Sequence, residues 1–504
     1  MKLKDIISNF DHQLFGSADV PVTAITADSR KVVPGTLFVA VKGFTSDGHA
    51  YIPQAIAKGA SAILCEAIPE GDIPSSASLR DPVRANAPEG MSPSGISFVT
   101  VESSRKALAL AADAFYGHPS GDLKLVGITG TNGKTTTVTL LYKLFKSLGY
   151  RCGLLSTIAN YVDDKRLETE NTTVDPITLN RLLREMADAG CEYCFMEVSS
   201  IGVEQERVTG LDFAMGIFSN LTHDHLDYHG SFAEYLRCKK LFFDRLPKGA
   251  VALINTDDKN GPVMVQNTVA KVVTYSVKGL ADHSARILEQ SMEGMLLKID
   301  GRETWCRLIG EHNAYNLLAV YATALCLGAD ATETLVALSN LSSAPGRLEN
   351  LRGPREITVV IDYAHTPDAL ENVLRTLRAV APERQLICLF GCGGDRDKTK
   401  RPEMAQVAEK VADRLVITSD NPRTEEPEAI IADIRAGLSP KGMAKSLVIT
   451  DRREAIRTAI LTAPQGATIL LAGKGHEDYQ VIGHEKHHMD EREIVAETFK
   501  QMLS

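Results

Sequence analysis

The chain has 504 residues, length for about three domains, and 44% of them are apolar, enough for each domain to bury a core. Lys and Arg number 55 against 64 Asp and Glu, a net charge of −9 with no basic stripe, which argues against nucleic acid as the main partner. No apolar run reaches the length of a membrane span, and Met1-Lys-Leu-Lys-Asp5 lacks a signal peptide's apolar centre, so a cytoplasmic protein without membrane insertion is expected.

Residues 1–120 form a first unit, with strand-like runs at Gly35–Val41 and Ala60–Cys65. Within it, residues 67–96 are rich in Pro, Ala, Ser and Gly and read as an exposed loop. A second unit, 121–345, alternates strand and helix patterns. It opens on an apolar strand and then Gly127-Ile-Thr-Gly-Thr-Asn-Gly-Lys-Thr-Thr-Thr137. The following apolar residues, Val138, Leu141, Tyr142, Phe145 and Leu148, have helical spacing and stop at Gly149. A glycine-rich turn between strand and helix presents backbone N–H groups to phosphates. Lys134 is expected on the β/γ-phosphates of ATP, and Thr135 on Mg²⁺. The loop misses the general phosphate-loop spacing by one residue, because Ile128 stands where that pattern has glycine.

The strand-like Tyr193–Val198 carries Glu197 at its end, where a carboxylate can hold Mg²⁺ opposite Thr135. Nine cysteines are scattered along the chain and fit buried free thiols; Cys191-Glu-Tyr-Cys194 has no second pair nearby to make a zinc or redox site. Asn220–Gly230 holds His223, His225 and His229 with Asp224 and Asp227, and beside an ATP site suits Mg²⁺ with one histidine ligand better than zinc. Lys239 and Lys240 follow on a helical stretch, and composition distinguishes neither. From 346 to 504 a further alternating series runs through Ile357–Ile361, Gln385–Phe390, Arg414–Thr418, Leu447–Thr450 and Ala467–Leu471. Parallel sheets covered by helices follow, with ligands beyond the strands' carboxyl ends. Three polar loops fall there: Gly391–Asp397, Ser419–Thr424 and Gly473–Glu477. Arg396 and Arg423 can hold a carboxylate, and Asp420 and Glu477 an ammonium, which together suit an amino acid.

Taken together, these residues resemble the Mur ligase family over nearly the whole chain. The loop Gly130–Thr135 is similar to that family's phosphate loop. Further signatures are Asp28-Ser29-Arg30, Asn171-Thr-Thr173, Glu197-Val-Ser-Ser200, Asp224-His-Leu-Asp227, Gly310-Glu-His-Asn313, Pro345-Gly-Arg-Leu-Glu349 and Asp362–Pro367. Asp420-Asn-Pro-Arg423 resembles the loop of the family's diaminopimelate-adding members. The resemblance implies an α/β protein of three domains: a smaller N-terminal α/β domain for a UDP-sugar, a central P-loop ATPase with a parallel sheet, and a C-terminal dinucleotide-fold-like domain for the amino acid. It implies ATP and Mg²⁺ as cofactors. Gly130, Thr131, Asn132, Gly133, Lys134, Thr135 and Thr136 would hold ATP, with Asn313, Arg347 and Asp362 on its adenine, phosphate and ribose. Thr135, Glu197, His225 and a carbamylated Lys239 would hold the metal, and Lys134, His225 and Lys239 would be catalytic. UDP-N-acetylmuramoyl-L-alanyl-D-glutamate would contact Ser29, Asn171, Thr172, Thr173, Ser199, Gln205 and Arg207. meso-2,6-Diaminopimelate would contact Arg396, Asp420, Asn421, Pro422, Arg423, Gly473 and Glu477. Two departures are Phe44-Thr-Ser46, where the family often has His-Gln-Ala, and Ile201, where His is common. A monomer acting in peptidoglycan precursor synthesis is expected; a lysine-adding homologue, a folylpolyglutamate synthetase and a nucleotide-dependent switch protein are the competing readings.

Overall fold

The strand-like runs are buried on both faces, as sheets sandwiched between helices require. The computed structural model describes residues 1–43, 46–69, 96–169, 171–222 and 226–503, with the side chains of 226 and 227 left aside. Phe44, Thr45, His225 and most of the 67–96 loop therefore lie outside the described residues. The chain divides into two compact units, Met1–Tyr275 and Ser276–Ser504.

The first unit carries two sheets. The smaller runs in the order Gln13–Phe15, Ser97–Thr100, Ala60–Cys65, Thr36–Val39, Ala24–Thr26. Its pairings are parallel except the first. One face packs on Leu3–Ile7 and Ser104–Phe115, the other on Ile52–Ala57. The larger sheet places Lys124–Thr129 between Phe213–Phe218 and Tyr193–Glu197, all parallel. It continues outward through Val251–Asn255 and Lys271–Ser276 on one side, and Cys152–Leu155 on the other. Helices Pro176–Asp188 and Phe232–Asp244 bury Leu179, Leu183, Met186, Phe242 and Phe243 on one face. On the other, Phe145 of helix Lys134–Ser147 lies 4.6 Å and 5.1 Å from the Tyr193 and Phe195 rings. The predicted stop is kept: Gly149 has φ 93°, the left-handed geometry in which glycine ends a helix without strain.

The second unit begins with an antiparallel ribbon, His283–Ser291, Gly294–Ile299 and Arg302–Cys306, followed by helices Glu311–Cys326 and Ala331–Asn340. Its main sheet runs Glu349–Arg352, Thr358–Asp362, Thr468–Ala472, Leu386–Phe390, Arg414–Ile417, Ser446–Val448, antiparallel only at the first pair. Pro367–Val380, Lys400–Val411 and Pro427–Arg435 cover one face; Arg452–Leu461 and Glu491–Leu503 cover the other. A small hairpin, Tyr479–Ile482 with Glu485–His488, leaves the sheet after Ala472. The carboxyl ends of Leu386–Phe390, Arg414–Ile417 and Thr468–Ala472 all point the same way, which brings the three polar loops to one edge.

Candidate active site

In the first unit the glycine-rich loop leaves the central strand at Thr129. Gly130 has φ 151°, and a Cβ there would stand 2.0 Å from Ser219 Oγ, so only glycine lets the loop lie against its neighbour. Gly133, at φ 89°, is the residue before helix Lys134–Ser147. The end of strand Phe213–Phe218 braces the loop. Thr131 N donates to Asn220 O at 2.8 Å, Asn132 N to Asn220 Oδ1 at 2.9 Å, and Ser219 Oγ to Asn132 O at 2.7 Å. Lys134 Nζ donates to the carbonyls of Gly130 and Thr131 at 2.9 and 2.8 Å. Lys239 is 1% exposed; its Nζ reaches Gly130 O at 2.8 Å and lies 4.7 Å over the Tyr235 ring. Two ammonium groups therefore meet the first carbonyl of the loop. Thr135 and Thr136 are buried in the helix's first turn. Lys240 instead pairs with Asp244 at 2.6 Å, a local helix contact.

Glu197 sits beside this loop, because its strand is in register with the central one at Ile128. It is fully buried, and Oε1 accepts from Thr157 N at 2.8 Å and Thr157 Oγ1 at 3.1 Å. Oε2 has no hydrogen-bond partner among the described residues. A buried carboxylate oxygen without a donor is unfavourable unless a cation meets it, so the donor set fits a hard divalent ion. His229, from the histidine-rich stretch, is committed elsewhere: its Nε2 lies 2.9 Å from Ser200 Oγ.

A polar network runs on from Glu197. Thr173 Oγ1 donates to Glu197 O at 3.0 Å and accepts from Ser199 N at 3.0 Å. Ser199 Oγ caps helix Ser200–Glu204 through Gly202 N. Thr172 meets Thr157 Oγ1 at 3.1 Å. Arg207 donates to Thr173 O and, at 2.7 Å, to Gln205 Oε1, while Gln205 Nε2 reaches Tyr228 OH at 3.0 Å. Burial holds the Arg207 guanidinium below its ordinary pKa. Thr172, Thr173, Ser199, Gln205 and Arg207 are thus gathered with Glu197. Exposed Asn171 precedes them, and Ser29 is held apart, its Oγ on Gln54 Oε1 at 2.7 Å.

In the second unit, Asp362 accepts from Leu348 N at 2.8 Å and Ala364 N at 2.9 Å, and burial pushes its carboxyl up against the opposing charge of Arg347. The Arg347 guanidinium lies 5.1 Å over the Tyr363 ring. Asn313, in the first turn of its helix, donates to Ile309 O and accepts from Asn316.

The three polar loops are stitched together. Gly394 N donates to Asn421 O at 2.9 Å, and Arg423 Nη1 to Gly394 O at 2.7 Å. Thr424 Oγ1 reaches Asp395 at 2.8 Å. Pro422 packs by its carbonyl so closely on Gly394 that a Cβ there would be 1.8 Å away. Asn421 Nδ2 donates to Glu477 Oε2 at 2.9 Å. Gly473 has φ 115°, and a Cβ on it would meet Asp420 Oδ2 at 2.5 Å. Arg396 remains exposed on its loop, donating to Asp395 O at 3.1 Å.

Two residues here escape the sequence reading. Lys474, flanked by glycines, is 0% exposed and lies among Asp420, Asn421 and Glu477. Arg452, the first residue of helix Arg452–Leu461, is 1% exposed and bonds Glu491 Oε1 at 2.8 Å, Ala472 O at 2.8 Å and Ser419 O at 3.4 Å. It ties the strand ends that precede Gly473 and Asp420. Arg452→Ala leaves Glu491 buried without its counterion, so unfolding free energy is expected to fall by about 3–5 kcal/mol. Urea denaturation checks this; the paired Arg452→Met, Glu491→Leu change is expected to lose much less.

Known proteins match along the chain. The Mur ligase family catalytic domain matches residues 21–116, the Mur ligase middle domain 128–324, and the Mur ligase glutamate ligase domain 346–475. A UDP-N-acetylmuramoyl-L-alanyl-D-glutamate–2,6-diaminopimelate ligase of Bacteroides thetaiotaomicron is 51% identical over 97% of both chains. The Geobacillus thermodenitrificans ligase of the same name is 40% identical over 99% of this chain and 100% of its own. A solved structure of a ligase with that name superposes with a TM-score of 0.70 at 31% identity, covering 100% of this chain and 99% of its own. An ADP-bound folylpolyglutamate synthase of Mycobacterium tuberculosis shares the fold, with a TM-score of 0.59 at 20% identity over 72% of this chain and 91% of its own. The chain belongs to the Mur ligase family.

Proposed function

We propose that the chain is an ATP-dependent ligase that joins meso-diaminopimelate to UDP-N-acetylmuramoyl-L-alanyl-D-glutamate in peptidoglycan precursor synthesis. The observation that carries this is identity of about half over nearly full length to relatives named for that reaction. Three domains, at 1–120, 121–345 and 346–504, are inferred for the nucleotide sugar, ATP and the amino acid, with support from the three family matches. A reaction in the cytoplasm is inferred from the class of substrate, and among the described residues no helix is long and apolar enough to cross a membrane.

ATP is consumed as a substrate. The side-chain carboxylate of the D-Glu residue attacks the γ-phosphorus, the bond to the bridging oxygen breaks, and ADP leaves an acyl phosphate. The amine of diaminopimelate then attacks the acyl carbon, loses a proton and expels phosphate. Lys134, at the start of the loop helix, neutralises charge on the transferring group, and the loop from Gly130 to Thr136 is assigned to the phosphates. Mg²⁺, held by Thr135, Glu197, His225 and a carbamate on Lys239, would supply further charge neutralisation. The unpartnered Glu197 Oε2 and the buried Lys239 beside the loop support that assignment. Asn313, Arg347 and Asp362 are assigned to the nucleotide. Ser29, Asn171, Thr172, Thr173, Ser199, Gln205 and Arg207 are assigned to the UDP-sugar peptide. Arg396, Asp420, Asn421, Pro422, Arg423, Gly473 and Glu477 are assigned to the amino acid.

Product mass tests the reaction. Incubated with all three substrates, the nucleotide dipeptide is expected to gain one diaminopimelate less one water. An unchanged mass contradicts the proposal.

A further inference from the structure

Asp420 and Glu477 are assigned above to a substrate ammonium, yet the chain already places its own ammonium between them. Lys474 Nζ lies 3.4 Å from Asp420 Oδ1 and 3.4 Å from Glu477 Oε2. It also donates to Asn421 Oδ1 and, at 2.7 Å, to Tyr479 O, and the side chain is 0% exposed. The same Asn421 Oδ1 also accepts from Val481 N at 2.9 Å, while Nδ2 donates to Glu477. One buried cation therefore touches every side chain of this cluster and anchors the start of the Tyr479–Ile482 strand, whose Val481 O accepts from Arg423 N at 3.1 Å. Buried charges persist when paired and hydrogen-bonded, as here.

We infer that Lys474 is a positioning and specificity-determining residue for the amino-acid site. This rests on the functional reading above. Its charge lowers the cluster from two unpaired negative charges to one. One remaining negative charge, with Arg423 on the same loop as Asp420 and Arg396 on the neighbouring one, matches an amino-acid end that carries both an ammonium and a carboxylate. Without Lys474 the same residues form a more negative site, which favours an amine that brings no carboxylate, as the side chain of lysine does. Its hydrogen bonds also fix Asn421, and through the 479–482 strand the backbone of Arg423.

Lys474→Gln and Lys474→Arg test this on the full chain. Each is measured for thermal melting, for KM of ATP, nucleotide dipeptide and meso-diaminopimelate, and for kcat/KM with L-lysine. The Gln variant is expected to raise the diaminopimelate KM about tenfold or more and to move the diaminopimelate-to-lysine ratio at least as far toward lysine, with the other two KM values within about twofold. The Arg variant, which keeps the charge, is expected to keep more of the ratio than the Gln variant. An unchanged diaminopimelate KM in a folded variant overturns the inference. So does an equal rise in all three KM values, or loss of the cooperative melt in both variants, which would make Lys474 a folding residue only. If the parent chain itself does not use diaminopimelate, it is the functional reading that fails; if the parent does and the variants match it, only the Lys474 inference fails.

Discussion

Lys134→Ala is expected to lower ATP-dependent turnover by about 10²–10³-fold or more. The side chain sits in the first turn of the loop helix, its ammonium on the carbonyls of Gly130 and Thr131. Such a group acts mainly on charge that develops during phosphoryl transfer, so the loss should fall on kcat more than on KM for the nucleotide dipeptide. Gly130 O keeps its bond to Lys239, so the carbonyl of Thr131 loses a donor and that of Gly130 does not, and unfolding free energy should change by about 1 kcal/mol. Steady-state ADP release checks the first figure and urea denaturation the second. Activity within tenfold of the parent would remove Lys134 from the chemistry.

Arg423→Ala is expected to collapse selection between diaminopimelate and lysine. Arg423 is half-buried at the convergence of the three loops, with Nη1 on Gly394 O at 2.7 Å. Diaminopimelate offers a second carboxylate that lysine lacks. An arginine desolvated by a bound amino acid and left unpaired costs several kcal/mol, enough for about 10³-fold discrimination in kcat/KM. The loop should survive the change, since Arg423 N still donates to Val481 O and Gly483 N to Arg423 O. Arg423→Lys should restore only part of the ratio, because an ammonium cannot make the bidentate contact. A ratio equal to the parent's in Arg423→Ala would show that another group selects the amino acid.

The two expectations differ in how far the sequence alone carried them. Continuous apolar runs such as Leu386–Phe390 and Thr468–Ala472 are legible because a strand buried on both faces needs no alternation. Helix Lys134–Ser147 is legible because its apolar residues fall on one turn in each cycle and Gly149 stops it. Loops at strand ends follow from the same pattern, which pairs the Asp420 loop with Gly391–Asp397. The ribbon that opens the second unit is harder to read, since its first strand, His283–Ser291, mixes exposed and half-buried residues without a clean period. Lys474 and Arg452 are not legible from the sequence for a different reason. Lysines and arginines are usually solvated, and nothing local to either marks it as buried. Their partners lie up to 54 residues away in the chain for Lys474 with Asp420, and are set by the sheet order rather than by spacing. Glu197 was picked out as a strand-end carboxylate, but that one oxygen is satisfied by Thr157 and the other left without a donor is visible only in three dimensions.

The central claim is that hydrolysis of ATP is coupled to amide formation with one particular amino acid. ADP release should be measured with UDP-N-acetylmuramoyl-L-alanyl-D-glutamate and, in turn, meso-diaminopimelate, L-lysine or no amino acid. Sustained release with diaminopimelate, far slower release with lysine and almost none without an amino acid is the predicted result. Equal release in all three reactions, or release that needs no nucleotide dipeptide, would contradict it.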